Sequence, residues 1–136
     1  MGLDIYFYKV RKDDAGTISN TRDVFDLIKD GVDCAYFRKA NFIYAYFEHL
    51  IDSNTECCIV NRDEIESLFD ACSLVLKKEN NTQFASEVLP TRAGFFFGGT
   101  DYDEWYYKKV RDCYEQMKII LDEWDNRDAI VIWFSW

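Results

Sequence analysis

The residues with the clearest chemical potential lie in one loop, which reads LPTRAGFFFGGTDYDEWYY from position 89 to position 107. Its glycines allow backbone conformations that other residues rarely adopt, and Gly98 and Gly99 stand directly before Thr100, a favourable helix N-cap residue. Backbone amides at a helix N-terminus bind anions, and the helix dipole strengthens this binding. The spacing therefore predicts a phosphate or carboxylate site, with these ligand-binding residues: Thr91, Arg92, Gly98, Gly99, Thr100 and Tyr102.

The same loop also has a purely structural interpretation. It could be a turn that inserts Phe95 to Phe97 into the core, and the acidic side chains after Thr100 would already occupy the positive end of the helix dipole. The loop has neither the lysine of a P-loop nor the glycine spacing of a dinucleotide-binding fingerprint. Both interpretations, an anion site and a rigid connector, remain open from the sequence.

A second group of polar residues lies in the segment 36–52, YFRKANFIYAYFEHLID, which predicts a helix from its apolar spacing. Arg38 and Asn41 share one stripe of that helix and could present a guanidinium and an amide to one ligand, with Arg38 or Arg92 as countercharge. Alternatively, Arg38 pairs with an acidic side chain of the loop. Both interpretations predict a contact between this helix and residues 91–104.

Composition and charge exclude several classes of partner. The chain of 136 residues carries 25 acidic and 16 basic residues, a net charge of −9. Binding to nucleic-acid phosphates requires clustered cations, so we expect neither nucleic-acid backbone binding nor an anionic membrane surface as partner. A partner protein with a basic surface, or a small anionic ligand in one local pocket, is compatible with this charge. Aromatic residues make up 18 %, and some of them are expected at an interface.

No diagnostic catalytic motif is present, so a binding protein is expected rather than an enzyme, with no catalytic residue, cofactor or metal site assigned. Two alternatives stay open: a metal-assisted phosphoester hydrolase that uses Asp101, Asp103 and Glu104, and a self-associating structural protein, a homo-oligomer joined by exposed aromatic side chains. His49, the single histidine, has no metal-ligand spacing around it.

Cysteine usage and the first residues bear on location. The five cysteines show no C-x-x-C pattern and predict reduced thiols, mostly in the core. The opening segment MGLDIYFYKV has neither the basic region nor the long apolar run of a signal peptide. We therefore expect a cytoplasmic protein.

The remaining segments predict the elements that position the loop. Residues 3–10 and 129–136 are apolar on both faces and predict buried neighbouring strands, and Cys57 to Val60 predict a short one. Asn61 and Glu64 form a capping-box pattern before an amphipathic helix. A second long helix, capped at Thr100, is predicted from apolar residues spaced four and three apart: Tyr106, Val110, Cys113, Met117, Ile120 and Trp124.

This order predicts one α+β domain over residues 1–136. Its sheet would be small and mostly antiparallel, with about three strands that include both chain ends. Three main helices would pack on the sheet: residues 36–52, the helix after Asn61 and the helix after the glycine loop. Shorter helices are predicted before Gly31 and before Pro90.

Several segments together resemble a family of small uncharacterised proteins found in bacteria and their phages or prophages. They are MGLDIYFYKV, YFRKAN at 36–41, LPT at 89–91 leading into GFFFGGTDYDEWY at 94–106, and the terminal strand. The family motifs read M-G-L-D-M-Y-L, Y-W-R-K-A-N-x-I-H-x-W-F and L-P-T-x-x-G-F-F-F-G-S-T-x-Y-D-x-x-Y. The resemblance implies a compact intracellular protein linked to mobile elements, without a particular activity. Tyr44 stands where the family motif has histidine, and Phe37 where it has tryptophan, so this chain lacks any function that needs that histidine.

Overall fold

The structure, a computed structural model, describes residues 2–15, 21–94 and 96–136. Within these residues four strands form one antiparallel sheet, in which the first strand of the chain lies between the second and the fourth and the third strand lies at the far edge beside the fourth. The expected α+β class is confirmed, with one strand more than expected. The elements follow each other as β1 Asp4–Arg11, α1 Lys12–Ala15, α2 Thr21–Lys29, β2 Val32–Arg38, α3 Asn41–Phe47 with a 3₁₀ turn Glu48–Leu50, β3 Cys57–Val60, α4 Arg62–Lys77, α5 Thr82–Val88, α6 Glu104–Asp122 and β4 Asp128–Ser135.

The two chain ends form the centre of the sheet. β1 pairs with β4 along its whole length, with Ile5 opposite Phe134 and Phe7 opposite Ile132. These four side chains are almost completely buried, because alternate residues of each strand point to the same helix-covered face. The expected pairing of the first and last strands is thus confirmed.

Helices α3 to α6 cover this inner face. α4 begins with the expected capping box, in which the Asn61 side chain accepts from the Glu64 amide and the Glu64 carboxylate accepts from the Asn61 amide. The apolar stripe of α6 is buried as expected, including Val110, Cys113 and Met117, except for Trp124, which follows the end of the helix and is half-buried. Among the described residues, no helix has the length and apolar character needed to cross a membrane.

The outer face of the sheet is only partly covered. α2 packs Val24, Leu27 and Ile28 over Val10 and Val131 in a second, smaller core, as the spacing of three and four on an amphipathic helix allows. Towards the Asp4 end of β1 the outer face instead carries a row of aromatic rings, which is described below.

The segment 36–52 is not one continuous helix, as its spacing had predicted. Tyr36 to Arg38 end strand β2, Lys39 adopts a positive φ of 57°, and α3 begins only at Asn41. Pairing with β1 decides the outcome: Phe37 lies opposite Ile5, is buried, and packs edge-on against Phe7 at 5.5 Å between ring centroids. The fourth strand, β2, therefore includes the first three residues of the predicted helix.

A side chain of α6 forms hydrogen bonds with the backbone of the edge strand β2. The backbone amide of Tyr36 donates to Oε1 of Gln116 at 3.3 Å, and Nε2 of Gln116 donates to the Tyr36 carbonyl oxygen at 3.3 Å. The same Nε2 donates to Asp112 at 3.1 Å, which orients the amide. One glutamine thus binds a donor and an acceptor on the outer side of β2.

Candidate functional site

Asn41 connects α3 to the glycine loop. Its side chain is buried, with 3 % exposed, and Nδ2 donates to the carbonyl oxygens of Phe97 at 3.0 Å and Gly99 at 2.9 Å. Its Oδ1 accepts from the backbone amide of Arg92 at 3.1 Å. Because buried polar groups need partners, this amide fixes the path of the loop. The predicted contact between this helix and residues 91–104 is confirmed, and it is made by Asn41.

A second set of hydrogen bonds closes the loop on itself. Thr91 donates its backbone amide to the Tyr102 hydroxyl at 3.1 Å and its own hydroxyl to the Thr100 carbonyl oxygen at 2.9 Å. The Tyr106 hydroxyl donates to the Leu89 carbonyl oxygen at 2.7 Å. The predicted site residues Thr91, Thr100 and Tyr102 therefore lie together, with much of their hydrogen-bonding capacity already used.

The glycine pair does not stand at a helix N-terminus, contrary to the sequence prediction. α6 begins at Glu104, and its N-cap is Asp103, whose side chain accepts from the Tyr106 amide at 3.0 Å. The chain before it is held away from helical geometry because Thr91 binds the Thr100 carbonyl oxygen. Gly98 adopts a positive φ of 88° and lies against the Lys39 side chain, so glycine suits this position both for its backbone conformation and for the close approach of that side chain.

Neither guanidinium that was expected as countercharge lines the pocket beside the loop. Arg38 forms an ion pair with Asp4 of β1 at 3.0 Å, rather than with an acid of the loop. Arg92 binds Glu48 through two nitrogens, at 2.8 and 3.2 Å, and this hydrogen bonding lowers the pKa of Glu48 below its ordinary value. Both arginines thus have carboxylate partners on neighbouring elements.

The loop and α3 enclose one side of a pocket of about 190 Å³ with cations at its wall. Asn41, Thr91 and Gly99 line it, so three of the predicted ligand-binding residues are brought together. Trp105, with 59 % of its surface exposed, lies at the same pocket. The other lining residues are Lys39, Phe42, Asp101, Asp103, Tyr106 and Lys109.

The two lysines of this pocket are close to each other. Nζ of Lys109 donates to the carbonyl oxygen of Lys39 at 3.3 Å. Among the described residues, no carboxylate lies within 4.0 Å of either ammonium group. Partial burial lowers the pKa of Lys109, the Lys39 charge lowers it further, and Asp103 acts in the opposite direction. Lys109 and Lys39 therefore line one concave site, and the positive charge of Lys39 acts on the ammonium group of Lys109.

Comparisons of the chain with protein-family models, with curated proteins and with solved structures found no match.

A wider neighbouring cavity, of about 470 Å³, lies along α6 and the end of α4. Its cations are already compensated: Arg111 pairs with Glu79 at 3.4 Å, and the Lys108 ammonium lies 5.2 Å from the centre of the Trp105 ring. Glu104 also lines it. An anion should bind more weakly here than at the pocket lined by Lys39 and Lys109, because each positive charge of the wider cavity already has a favourable neighbour.

In the part of the chain that the structure describes, no single cavity is lined by all three carboxylates of the hydrolase alternative. Asp101 and Asp103 line the lysine pocket, Asp103 is occupied as the N-cap of α6, and Glu104 faces the wider cavity. Within the described part of the chain, no group of three or more His, Cys, Asp or Glu side chains is arranged to hold a metal ion. The geometry gives the metal-assisted mechanism no support.

The residues missed by sequence reasoning are the two lysines. Lys39 sits between Arg38 and Asn41 in the motif that drew attention, but its position in the pocket depends on the positive φ that turns β2 into α3. Lys109 lies on α6, and the prediction of that helix depended only on its apolar residues. Because Lys39 and Lys109 are far apart in the sequence, no local pattern indicated that both would line one pocket.

All five cysteines are free thiols, and four of them are buried. Burial raises the pKa of Cys34 and of Cys57 to about 12, and it also raises the pKa of Cys58 and Cys113. A thiol with a raised pKa is protonated at neutral pH and is a poor nucleophile. None of these four thiols is therefore poised to act as a nucleophile.

We predict that a thiol-specific disulfide reagent modifies native protein slowly and at Cys34 only, because that residue alone is partly exposed. After unfolding in denaturant, all five thiols should react. Native reactivity should vanish in Cys34→Ala, which serves as the matched control. Rapid native reaction of a second thiol would contradict the burial described above.

Proposed function

We propose that the protein is a non-enzymatic binding protein that holds a small anionic ligand in the pocket lined by Lys39 and Lys109. One observation carries the proposal: Lys39 and Lys109 line one concave site, and among the described residues neither ammonium group has a carboxylate within 4.0 Å, although Asp101 and Asp103 line the same pocket. In an acidic protein, bringing like positive charges together raises the free energy of the unliganded state. A bound carboxylate or phosphate would remove that cost.

The size of the pocket limits the ligand. A volume of about 190 Å³ corresponds to about six water molecules at about 30 Å³ each, and it is smaller than the roughly 300 Å³ at which drug-sized sites begin. A phosphate or carboxylate group with a few attached atoms fits this space. The Trp105 ring at the pocket is a further surface for an apolar or planar part of the ligand.

The rigidity of the surrounding loop also supports this function. Asn41, Thr91 and Tyr102 fix the loop backbone through hydrogen bonds, so little conformational entropy is lost when a ligand binds. Free thiols and the resemblance to phage and prophage proteins support a cytoplasmic setting for this role. The glycine loop would then act as the frame of the site, while the lysines contact the ligand.

The test is a binding measurement with inorganic phosphate and with small mono- and dicarboxylates. We expect at least one of these anions to raise the melting temperature and to give a calorimetric binding isotherm. Lys109→Gln should weaken binding about tenfold or more, because a desolvated charge pair is lost. Lys108→Gln is the matched control, since Lys108 precedes it on α6 and belongs to the other cavity, and it should bind normally.

Binding should also depend on pH in a defined direction. The pKa of Lys109 lies below its usual value of about 10.5, so raising the pH through that lowered pKa removes the ammonium and weakens anion binding. A bound anion raises this pKa again, and binding above neutral pH is therefore coupled to proton uptake. Lys109→Gln should lose this dependence. Equal binding by Lys109→Gln and wild type would remove the lysine pocket as the ligand site.

A further inference from the structure

The uncovered part of the sheet's outer face carries an aromatic row, defined here as Tyr36 of β2, Tyr6 of β1, Trp133 of β4 and Phe25 of α2. Neighbouring ring centroids lie 5.2, 5.4 and 5.3 Å apart in that order. The register explains the row, because Tyr6 lies opposite Tyr36 on one side and opposite Trp133 on the other. The anion pocket, by contrast, lies among α3, α6 and the glycine loop.

Both ends of the aromatic row are open to solvent. Tyr36 is 45 % exposed and Phe25 is 48 % exposed, while Tyr6 and Trp133 between them are partly buried. Trp133 also packs against the second core beneath α2. Large contiguous apolar surfaces that remain exposed on a soluble domain commonly mark sites of interaction.

Three acidic residues lie beside these rings, and one of them is already paired with an arginine. Asp4 accepts from the Tyr36 hydroxyl at 2.5 Å and pairs with Arg38 at 3.0 Å. Asp33 lies close enough to the neighbouring Tyr8 to help raise the pKa of its hydroxyl, for which burial is the main cause. The exposed Asp26 follows Phe25 on α2. The faces of aromatic rings are themselves electron-rich, so rings and carboxylates attract the same kind of partner.

We propose that the aromatic row is a docking surface for a basic segment of another protein, whose arginine or lysine side chains stack on the rings. The row crosses three strands, which lie about 4.8 Å apart, so it is longer than one side chain and suits a peptide. A guanidinium stacks on tyrosine and tryptophan and can also bind a carboxylate. The net charge of −9 steers a basic partner towards this protein.

The same charge disfavours the other occupants. A nucleic acid would bring phosphates towards a protein of net charge −9, although its bases could stack on the rings. A second copy of the chain brings another −9. Its Arg38, at the end of the row, is already paired with its own Asp4. A basic peptide is the occupant that matches both the rings and the charge.

The experiment titrates the protein with a short peptide of alternating arginine and leucine and with its glutamate-for-arginine counterpart. We expect the arginine peptide to bind, more weakly at higher salt, and the glutamate peptide not to bind. Tyr36→Ser and Phe25→Ser, at opposite ends of the row, should each weaken binding about tenfold. Neither variant changes the net charge, so non-specific attraction stays constant. Circular dichroism melting curves establish that both variants are folded.

Ile119→Ser is the matched control, because Ile119 is an exposed apolar residue of α6, on the opposite side of the sheet. It should bind the arginine peptide as the wild type does. The proposal is overturned if Tyr36→Ser and Phe25→Ser keep wild-type affinity, if Ile119→Ser weakens binding equally, or if the glutamate peptide binds as well. It is also overturned if sedimentation shows a dimer that Tyr36→Ser abolishes, since the occupant would then be a second copy.

Discussion

Asn41→Ala should lower the free energy of unfolding by about 3 kcal/mol or more. The side chain makes three hydrogen bonds to the glycine loop, each worth about 1 kcal/mol. Truncation also leaves the Arg92 amide and the carbonyl oxygens of Phe97 and Gly99 without this partner. Chemical denaturation of the variant measures the loss directly, because a domain of this size is expected to unfold in one transition.

The matched control is Asn61→Ala, which removes an asparagine with a different task. Asn61 caps α4 at the protein surface, and loss of such a cap costs about 1 kcal/mol. The Asn41 variant should therefore lose roughly three times as much stability. Similar losses in the two variants would mean that the loop is held in place mainly by other contacts, and that Asn41 does not have the structural role assigned to it.

Phe97→Ala should be comparably destabilising, by about 3 to 4 kcal/mol, because it empties a buried site that the loop fills. The Phe97 ring packs edge-on against Tyr44 at 4.9 Å and against Trp136 at 5.3 Å between centroids. It also lies so close to Gly94 that an added Cβ there would be 2.7 Å from ring carbons. Denaturation in urea measures the loss in the free energy of unfolding, and the same measurement on variants of Gly94 gives the coupling between the two positions.

Gly94→Ala tests that coupling in a double-mutant cycle. The backbone of Gly94 does not have a positive φ, so the cost of the new methyl group is steric, about 1 to 3 kcal/mol from overpacking. In the Phe97→Ala background the ring is gone and the cost should fall to near zero. Gly99→Ala is the control, because an added Cβ there meets nothing within 4 Å, and it should change stability by less than about 0.5 kcal/mol. Additive costs for Gly94 and Phe97 would contradict the packing.

The parts of the fold that sequence reasoning predicted well are those specified by local signals. The capping box at Asn61 and the buried stripe of α6 depend on residues within one or two helical turns. The strands of β1 and β4 were recognisable because both of their faces are apolar. Each of these patterns has one structural solution that satisfies it, so the structure agrees with the prediction.

The errors arose where a local pattern had two solutions. Tyr36, Phe37 and Arg38 fit a helix by spacing and a strand by alternation, and only pairing with β1 selects the strand. Thr100 and Asp103 are both favourable N-cap residues, and the bond between Thr91 and the Thr100 carbonyl oxygen favours the later start of α6. Such choices depend on contacts between residues far apart in the sequence.

The candidate site followed the same principle. The contact between Asn41 and the loop was predictable, because both interpretations of the polar motif at 36–41 required a contact with the glycine loop. The charges at the pocket were not predictable, because Arg38 and Arg92 form ion pairs with carboxylates on β1 and beside α3. Two lysines, distant in the sequence, remained at the pocket. Which cation stays uncompensated is a property of the whole packed chain rather than of any motif.

The glutamine that bonds to strand β2 has a consequence for how this molecule behaves at high concentration. An outer strand with open amides and carbonyls is a template on which other chains can add strands and aggregate. Gln116 occupies that template at Tyr36, so an incoming strand must first displace a side chain that Asp112 holds in place. The backbone beside the exposed rings is thus protected against the addition of strands from other chains.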